Sequence, residues 1–361
     1  MTYRNIQGMR AIAALMVVSC HMFWNLGPTR LYWVKPFFAA IGPAGVDVFF
    51  VISGFIIYNV LQRSIGELGQ VGRGRAVFVF AMKRFIRIYP LYWIAFAAAF
   101  LIMLWGPPLP RGQEKPLLEL LTLVNGAPNY IVGVAWTLTY EVYFYAVVAL
   151  SLMLLGRTAV FGLAAWFAIL VVAMAAGAGH ATSPWNYLLA PILLEFSFGV
   201  AIGMLVRRGF QPFHGALWVV ASIWMLVGTW FVAHDLVSYP LRVIGWAAPA
   251  ALFIYGFVIL ERQGRWIMPR SLRYLGDASF SIYLWHLIVF ELVAAVFARL
   301  GWIGVVDPAL LMAGMVAAGL AFALASYHWI EKPLLACLAG VAGLHRAPVA
   351  PAEAAPRPEP C

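Results

Sequence analysis

Apolar residues along the chain gather into long blocks, separated by short clusters of Arg, Lys, Gly and Pro. A helix needs roughly 20 apolar residues to cross a bilayer. About ten blocks approach that length: 9–26, 43–61, 85–105, 135–155, 158–178, 187–206, 215–233, 241–260, 279–299 and 309–328. Hydrocarbon offers no partner to a backbone N–H or C=O, so each block is read as an α-helix that satisfies itself. The predicted fold is all-α: a polytopic membrane protein with about ten transmembrane helices. The block at 43–61 is interrupted by Asp47, Ser53 and Gly54, whereas 158–178 carries no charge. No internal repeat is visible, and nothing suggests the paired broken helices of many transporters.

Composition sharpens this picture. The 361 residues are 64% hydrophobic and only 11% charged, whereas a soluble domain carries about 25% charged residues. A soluble enzyme, a disordered chain and a disulfide scaffold are thereby excluded. The net charge of +10 needs no nucleic acid to explain it, because cytoplasmic loops favour Lys and Arg. Of the 24 Lys and Arg, 18 fall in one set of alternate connections and 6 in the other. The positive-inside rule then places both termini in the cytoplasm. Cys20, Cys337 and Cys361 show no CxxC spacing, so neither a metal site nor a disulfide framework is indicated. The first block lacks a cleavage pattern and is read as a retained helix. Residues 1–335 are expected to form the membrane domain, and 336–361, with Ala347-Pro348-Val349-Ala350-Pro351, a disordered cytoplasmic tail. The external connection 106–134, rich in Pro and Gly, is either part of an acceptor cleft or a solvated loop.

A charged side chain at mid-bilayer costs about 2.5–3.5 kcal/mol, so such residues mark where function is sought first. Arg10 and His21 stand almost three turns apart on one face of the first helix. Arg10 is expected at the cytoplasmic mouth and His21 deep in the bundle. His21 is either a proton-transfer group or a hydrogen-bonded structural histidine. Asp47 opens the second helix beside Ser53 and Gly54, where a packing seam with one polar residue is the plainer reading. Arg84 and Arg87, one turn apart, suit either an anionic cytoplasmic ligand or lipid headgroups. Thr137, Glu141 and Tyr145 share a face of the fourth helix, from which Glu141 could orient His21 or a sugar hydroxyl. Ser279, Tyr283 and His286 share a face of the ninth, and His286 either lines a ligand path or is structural. Glu195 and Glu291 have no informative flanks. His328, Glu331, Lys332 and Pro333 read as a local ion pair and a proline stop.

Taken together these segments resemble the acyltransferase-3 family of integral membrane O-acyltransferases, over about residues 4–335. The resemblance rests on six elements in order. They are the Arg10-to-His21 spacing, Gly45-Val46-Asp47-x-Phe49-Phe50-x-x-Ser53-Gly54-Phe55, Arg84-x-x-Arg87-x-x-Pro90, Trp136-x-Leu138-x-x-Glu141, Ser281-x-Tyr283-Leu284-x-His286 and Glu331-Lys332-Pro333. Thr139 stands where members often carry Ser, which keeps a hydroxyl. The chain resembles the stand-alone type, without an appended hydrolase-like domain. The resemblance implies transfer of an acyl group, most often acetyl, from cytoplasmic acyl-coenzyme A to a hydroxyl of a surface polysaccharide, lipopolysaccharide, lipid-linked glycan or small molecule. It implies no permanently bound cofactor, and an inner or plasma membrane location. His21 and Arg10 carry over as active-site residues, with Glu141 added as a catalytic candidate. Arg84 and Arg87 carry over as residues expected to support donor binding or the active conformation. Asp47, Ser53, Tyr283 and His286 are further substrate-binding candidates. The rival reading is a transporter or flippase of a lipid-linked glycan or small molecule, which would release no coenzyme A.

Overall fold

The computed structural model describes residues 3–23, 32–105, 116–124, 131–177, 185–234 and 242–343. The described residues contain helices and no strand. In chain order these are α1 (Arg4–His21), α2 (Lys35–Ile41), α3 (Ala44–Val71), α4 (Arg73–Trp105), α5 (Leu117–Thr122), α6 (Trp136–Leu155), α7 (Ala159–Ala175) and α8 (Trp185–Leu188). There follow α9 (Glu195–Arg207), α10 (Ala216–Ala233), α11 (Ala248–Arg262), α12 (Arg270–Asp277), α13 (Ser279–Arg299), α14 (Pro308–Ser326) and α15 (Lys332–Val341). Each of the ten apolar blocks contains a helix. Six helical stretches among the described residues are long and apolar enough to cross a membrane. The longest, 133–175, folds back on itself at Gly156, whose φ of 56° is open to glycine without strain.

The outer surface shows why this is a membrane fold. Leu150, Leu154, Phe161, Val172, Val219, Ile223 and Trp230 are all exposed. Water would disfavour such a girdle, and lipid accepts it. Inside, α1 packs against α3, α12 and α13, and α3 packs along α9. Small residues permit the closest of these approaches. A Cβ on Gly199 would lie 1.9 Å from the Val51 carbonyl oxygen, and one on Gly54 would lie 2.1 Å from that of Phe196. Without a hydrophobic force between helices in lipid, such close backbone packing is a main source of association.

Polar contacts tie several helix ends together. The Glu261 carboxylate at the end of α11 accepts from the first backbone N–H groups of α1, Arg4 at 2.8 Å and Asn5 at 2.7 Å. Arg262 donates to Val206 at the end of α9, and Arg73 donates to Met153 and Leu154 at the end of α6. At the opposite ends Arg242 meets Asp47, and Arg299 meets the Trp105 carbonyl.

Two expectations need correction. The block at 187–206 is not one helix: α8 stops, Ala190 is extended, and a 3₁₀ turn over Pro191–Leu194 leads into α9. Pro191 has no N–H and disfavours α geometry in the residue before it. Nor does Pro333 stop the last helix. A π turn over Tyr327–Glu331 runs into α15, where Pro333 sits in the first turn and needs no N–H partner. Residues 336–341, expected as disordered tail, are therefore helical. The remainder of that tail from 344, and the loop positions 106–115 and 125–130, lie outside the described residues. A π turn over Val243–Ala247 likewise precedes Pro249 in α11.

Packing at the α3–α9 seam leaves no room for a side chain. Gly199→Val should lower stability by about 1–3 kcal/mol or prevent folding. Thermal unfolding of the purified protein in detergent measures this, and an unchanged midpoint would refute the seam as described.

Candidate active site

A cavity of about 470 Å³ lies between α1, α3, α4, α6, α13 and α15. Its wall gathers Arg10, Lys83, Arg84 and Arg87 with Ser53, Thr137, Glu141, Tyr145, Ser279 and Tyr283. Helical periodicity explains the set. Thr137, Glu141 and Tyr145 recur every fourth residue of α6, and Ser279 and Tyr283 do the same on α13. The Arg84 and Arg87 side chains leave α4 one turn apart. Leu335 and Ala339 of α15 complete the wall.

Two hydrogen-bonded groups organise the cavity. In the first, Ser53 donates to Glu141 Oε1 at 2.6 Å, and Tyr145 donates to the same oxygen. The Arg84 guanidinium lies 5.7 Å from the Tyr145 ring centroid, and its buried Nε has no hydrogen-bond partner. In the second, Arg87 Nη1 lies 2.5 Å from Glu331 Oε1, while Ser281 donates to Glu331 Oε2 at 2.6 Å. Glu331 is 1% exposed, so removing it would leave Arg87 without its counter-charge in a poorly solvated place. Ser279, wholly buried, directs no hydrogen bond from its hydroxyl. Arg10 is held by Gln7 at 3.1 Å.

At its inner end the cavity meets Tyr283. The Tyr283 hydroxyl lies 2.7 Å from Thr137 Oγ1 and 3.0 Å from the Val134 carbonyl oxygen. One turn further along α13 comes His286, its ring centroid 6.2 Å from that of Tyr283. His286 Nε2 is 3.1 Å from His21 Nδ1. Neither histidine belongs to the cavity wall; Tyr283 does. Arg10 and His21 thus mark two levels of one helix, separated by a rise of about 16 Å.

The structure brings together Arg10, Arg84, Arg87, Glu141, Ser53 and Tyr283, and it pairs His21 with His286. Two assignments change. Glu141 does not orient His21, because its hydrogen bonds go to Ser53 and Tyr145. Asp47 does not face the cavity. Arg242 Nε reaches its Oδ1 at 3.2 Å and Nη2 its Oδ2 at 3.0 Å, in an ion pair whose carboxylate is wholly buried. Wholly buried Glu195 lies against that pair. Its carboxylate oxygens have no well-aligned hydrogen bond.

Sequence reasoning missed Glu331, which it assigned to a local ion pair. His328, named with it there, instead contacts Tyr274 at 2.7 Å. Only the Glu331-Lys332-Pro333 element pointed to the position, and nothing in that element names Arg87. Lys83 and Ser281 were missed as well. Lys83 sits beside the Arg84 pair, and Ser281 lies within the Ser-x-Tyr element, so each had a neighbouring signal.

An all-helical membrane protein in which four cations and Glu141 line one cavity below a histidine pair has the layout of a membrane-embedded enzyme. The acyltransferase-3 family profile, described as an acyltransferase domain, matches residues 3–328, and the chain belongs to that family. It is therefore a membrane acyltransferase. It is 32% identical over 305 residues to the exopolysaccharide production protein ExoZ of Rhizobium meliloti (strain 1021), covering 82% of this chain and 90% of that relative. It is 29% identical over 324 residues to the acyltransferase MdmB of Streptomyces mycarofaciens, covering 79% of this chain and 78% of the relative. With nodulation protein 10 of Rhizobium leguminosarum bv. viciae it shares 28% identity over 378 residues, 92% of this chain and 93% of the relative. No solved structure matches the chain.

The Arg87–Glu331 pair generates a test. Arg87→Leu or Glu331→Leu alone should each destabilise by on the order of 2–3 kcal/mol, because one charge is left buried. The double replacement should cost clearly less than the sum of the two. Denaturation of the three variants in detergent closes this cycle, and additive losses would refute the coupling.

Proposed function

We propose that the chain transfers an acyl group, acetyl by default, from cytoplasmic acyl-coenzyme A to a hydroxyl of a cell-surface polysaccharide or lipid-linked glycan. On this reading about ten helices cross the inner or plasma membrane, with both termini in the cytoplasm. The observation that carries it is the shared cavity of Arg10, Lys83, Arg84 and Arg87, which ends toward a histidine pair. A polyanionic donor needs cations near its phosphates, and guanidinium groups bind phosphate through paired hydrogen bonds. The unpartnered Arg84 Nε is suited to that role. A thioester needs no metal. It needs a positioned hydroxyl, a base and a donor that stabilises the developing oxyanion.

The acceptor oxygen attacks the thioester carbonyl carbon, forming a C–O bond as the C–S bond breaks. His21 takes the hydroxyl proton and returns it to the departing sulfur, giving the ester and free coenzyme A. The acyl end of the donor passes Tyr283 to reach His21. Glu141, held by Ser53 and Tyr145, sits where it can accept from a polar group of the donor or the acceptor, and Ser279 offers a second such contact. An acyl-histidine at His21 is a variant of this route. The polysaccharide acceptor is favoured by the similarity to an exopolysaccharide production protein. No specific observation favours the transporter reading.

His21→Ala should abolish acyl transfer while leaving the protein folded. Mass spectrometry of surface glycans from a gene-deletion strain complemented with wild type or His21→Ala tests it. Loss of one acyl mass per modified sugar in both the deletion and the variant is expected, and a full complement of acyl groups in the variant would refute the assignment. Arg84→Gln should raise KM for acyl-coenzyme A by about tenfold, the worth of a charge-assisted hydrogen bond of roughly 1.5 kcal/mol. Steady-state release of coenzyme A by purified protein measures it, and an unaltered KM would remove Arg84 from the donor site.

A further inference from the structure

We infer that His286 is the positioning residue of the active site: it fixes His21 as the Nδ1–H tautomer and so presents Nε2 of His21 as the base. This inference rests on the proposed role of His21 and extends it to a residue that touches no substrate.

His286 Nδ1 lies 3.0 Å from the backbone carbonyl oxygen of Ile282. A carbonyl oxygen only accepts, so the proton sits on His286 Nδ1. His286 is 1% exposed, and α13 buries it where a second charge beside His21 would be costly. It is therefore a neutral imidazole whose Nε2 is an acceptor. That Nε2 is 3.1 Å from His21 Nδ1. Two acceptors do not form a hydrogen bond, so His21 Nδ1 carries the proton and donates it.

Cys20 supplies an independent indication. Its Sγ lies 3.2 Å from the Val17 carbonyl oxygen, which takes the only thiol proton. The same sulfur is 3.6 Å from His21 Nδ1, and having spent its proton it can only accept there. These two contacts are both satisfied by a proton on His21 Nδ1. In the neutral ring the other nitrogen, Nε2, then holds the lone pair.

The consequence for the reaction is direct. An isolated neutral histidine favours the proton on Nε2, which would leave Nδ1, turned into the protein, as the only base. The Ile282–His286–His21 chain reverses that preference. When Nε2 accepts the hydroxyl proton, the imidazolium keeps its Nδ1–H bond to His286, so the ring does not rotate as it charges. The proton then returns from Nε2 to the leaving thiolate, and His286 ends as it began. A second-layer partner that sets tautomer and ring orientation commonly contributes a large part of a histidine's activity.

The test uses the full-length protein in lipid nanodiscs, with acetyl-coenzyme A as the probe donor and a purified surface polysaccharide or water as acceptor. In His286→Leu the imidazole acceptor for His21 Nδ1–H is gone, leaving the weakly accepting Cys20 sulfur and the Val17 backbone of the same helix. In His286→Gln, Oε1 can stand near the place of Nε2. Solid-state NMR of 15N-histidine-labelled protein, with His21→Ala for assignment, should show Nδ1–H at His21 in wild type and His286→Gln, and a clearly larger share of Nε2–H in His286→Leu. His286→Leu should lose about 100-fold or more in kcat, within the usual range for general-base catalysis, with KM for acetyl-coenzyme A unchanged. His286→Gln should recover most of that loss, with equal thermal unfolding midpoints for the two variants. Nε2–H at His21 in wild type, or wild-type kcat in His286→Leu, would overturn the inference. So would an equal loss in both variants, which marks a merely structural residue. Wild-type activity in His21→Ala would instead overturn the base assignment on which it rests, and a loss in His21→Ala without one in His286→Leu would overturn the inference alone.

Discussion

A polar side chain inside a bilayer has no water to turn to, so it must find its partner on another helix. Everything that distinguishes this bundle follows from that constraint. Asp47 of α3 is matched by Arg242, Arg87 of α4 by Glu331, Ser53 of α3 by Glu141 of α6, Thr137 of α6 by Tyr283 of α13, and His21 of α1 by His286 of α13. Each match ties two helices at one height and one rotation. Lipid-facing Leu and Val could slide past one another at little cost, but these pairs could not. A glycine seam at Gly54 and Gly199 separately brings the backbones of α3 and α9 into close contact.

The same pairs divide the interior by chemistry. Charge is concentrated at one level, where Arg10, Lys83, Arg84 and Arg87 face a common cavity and only Arg87 is matched at close range by a buried carboxylate. Above it lies a layer of hydroxyls, Thr137 and Tyr283, and above that the neutral histidines. Cations with incomplete partners are expensive to hold unless a ligand anion completes them. Neutral imidazoles cost far less and suit proton transfer better. This order of layers is what an anionic donor entering from the basic end would require.

Much of this could be read from the chain. Helical spacing placed Thr137, Glu141 and Tyr145 on one face, and likewise Ser279 with Tyr283, and all five line the cavity. The apolar blocks foretold the cores of the long helices but not their extent: α3 runs on to Val71, α4 begins at Arg73, and α2, α5, α12 and α15 lie outside every block. Prolines account for two further misreadings: Pro191 breaks a block, and Pro333 follows a π turn without ending its helix. Pairings were another matter. Periodicity tells which residues share a face and says nothing about which face lies opposite. The partners of Asp47, Arg87 and His21 are 195, 244 and 265 residues away. Glu141 was therefore offered to His21, when Ser53 and Tyr145 already hold it. Glu331 was given to its chain neighbours, when Arg87 was waiting across the bundle.

Asp47 shows how a motif residue can be necessary without touching substrate. It sits in the densest motif of the chain, next to Val46 and Phe49 of the cavity wall. Its own carboxylate is spent on Arg242, whose guanidinium also reaches the Pro43 carbonyl and lies over the Trp246 ring. That arrangement pins the start of α3 to the π turn before α11. Ser53 lies six residues further along α3, about 9 Å at the helical rise, and its bond to Glu141 depends on the register so fixed. Loss of Asp47 would reach the cavity through α3, by moving Ser53 and freeing Glu141. The charge that the sequence offers as a ligand is, in the fold, the peg that holds one wall of the site in place.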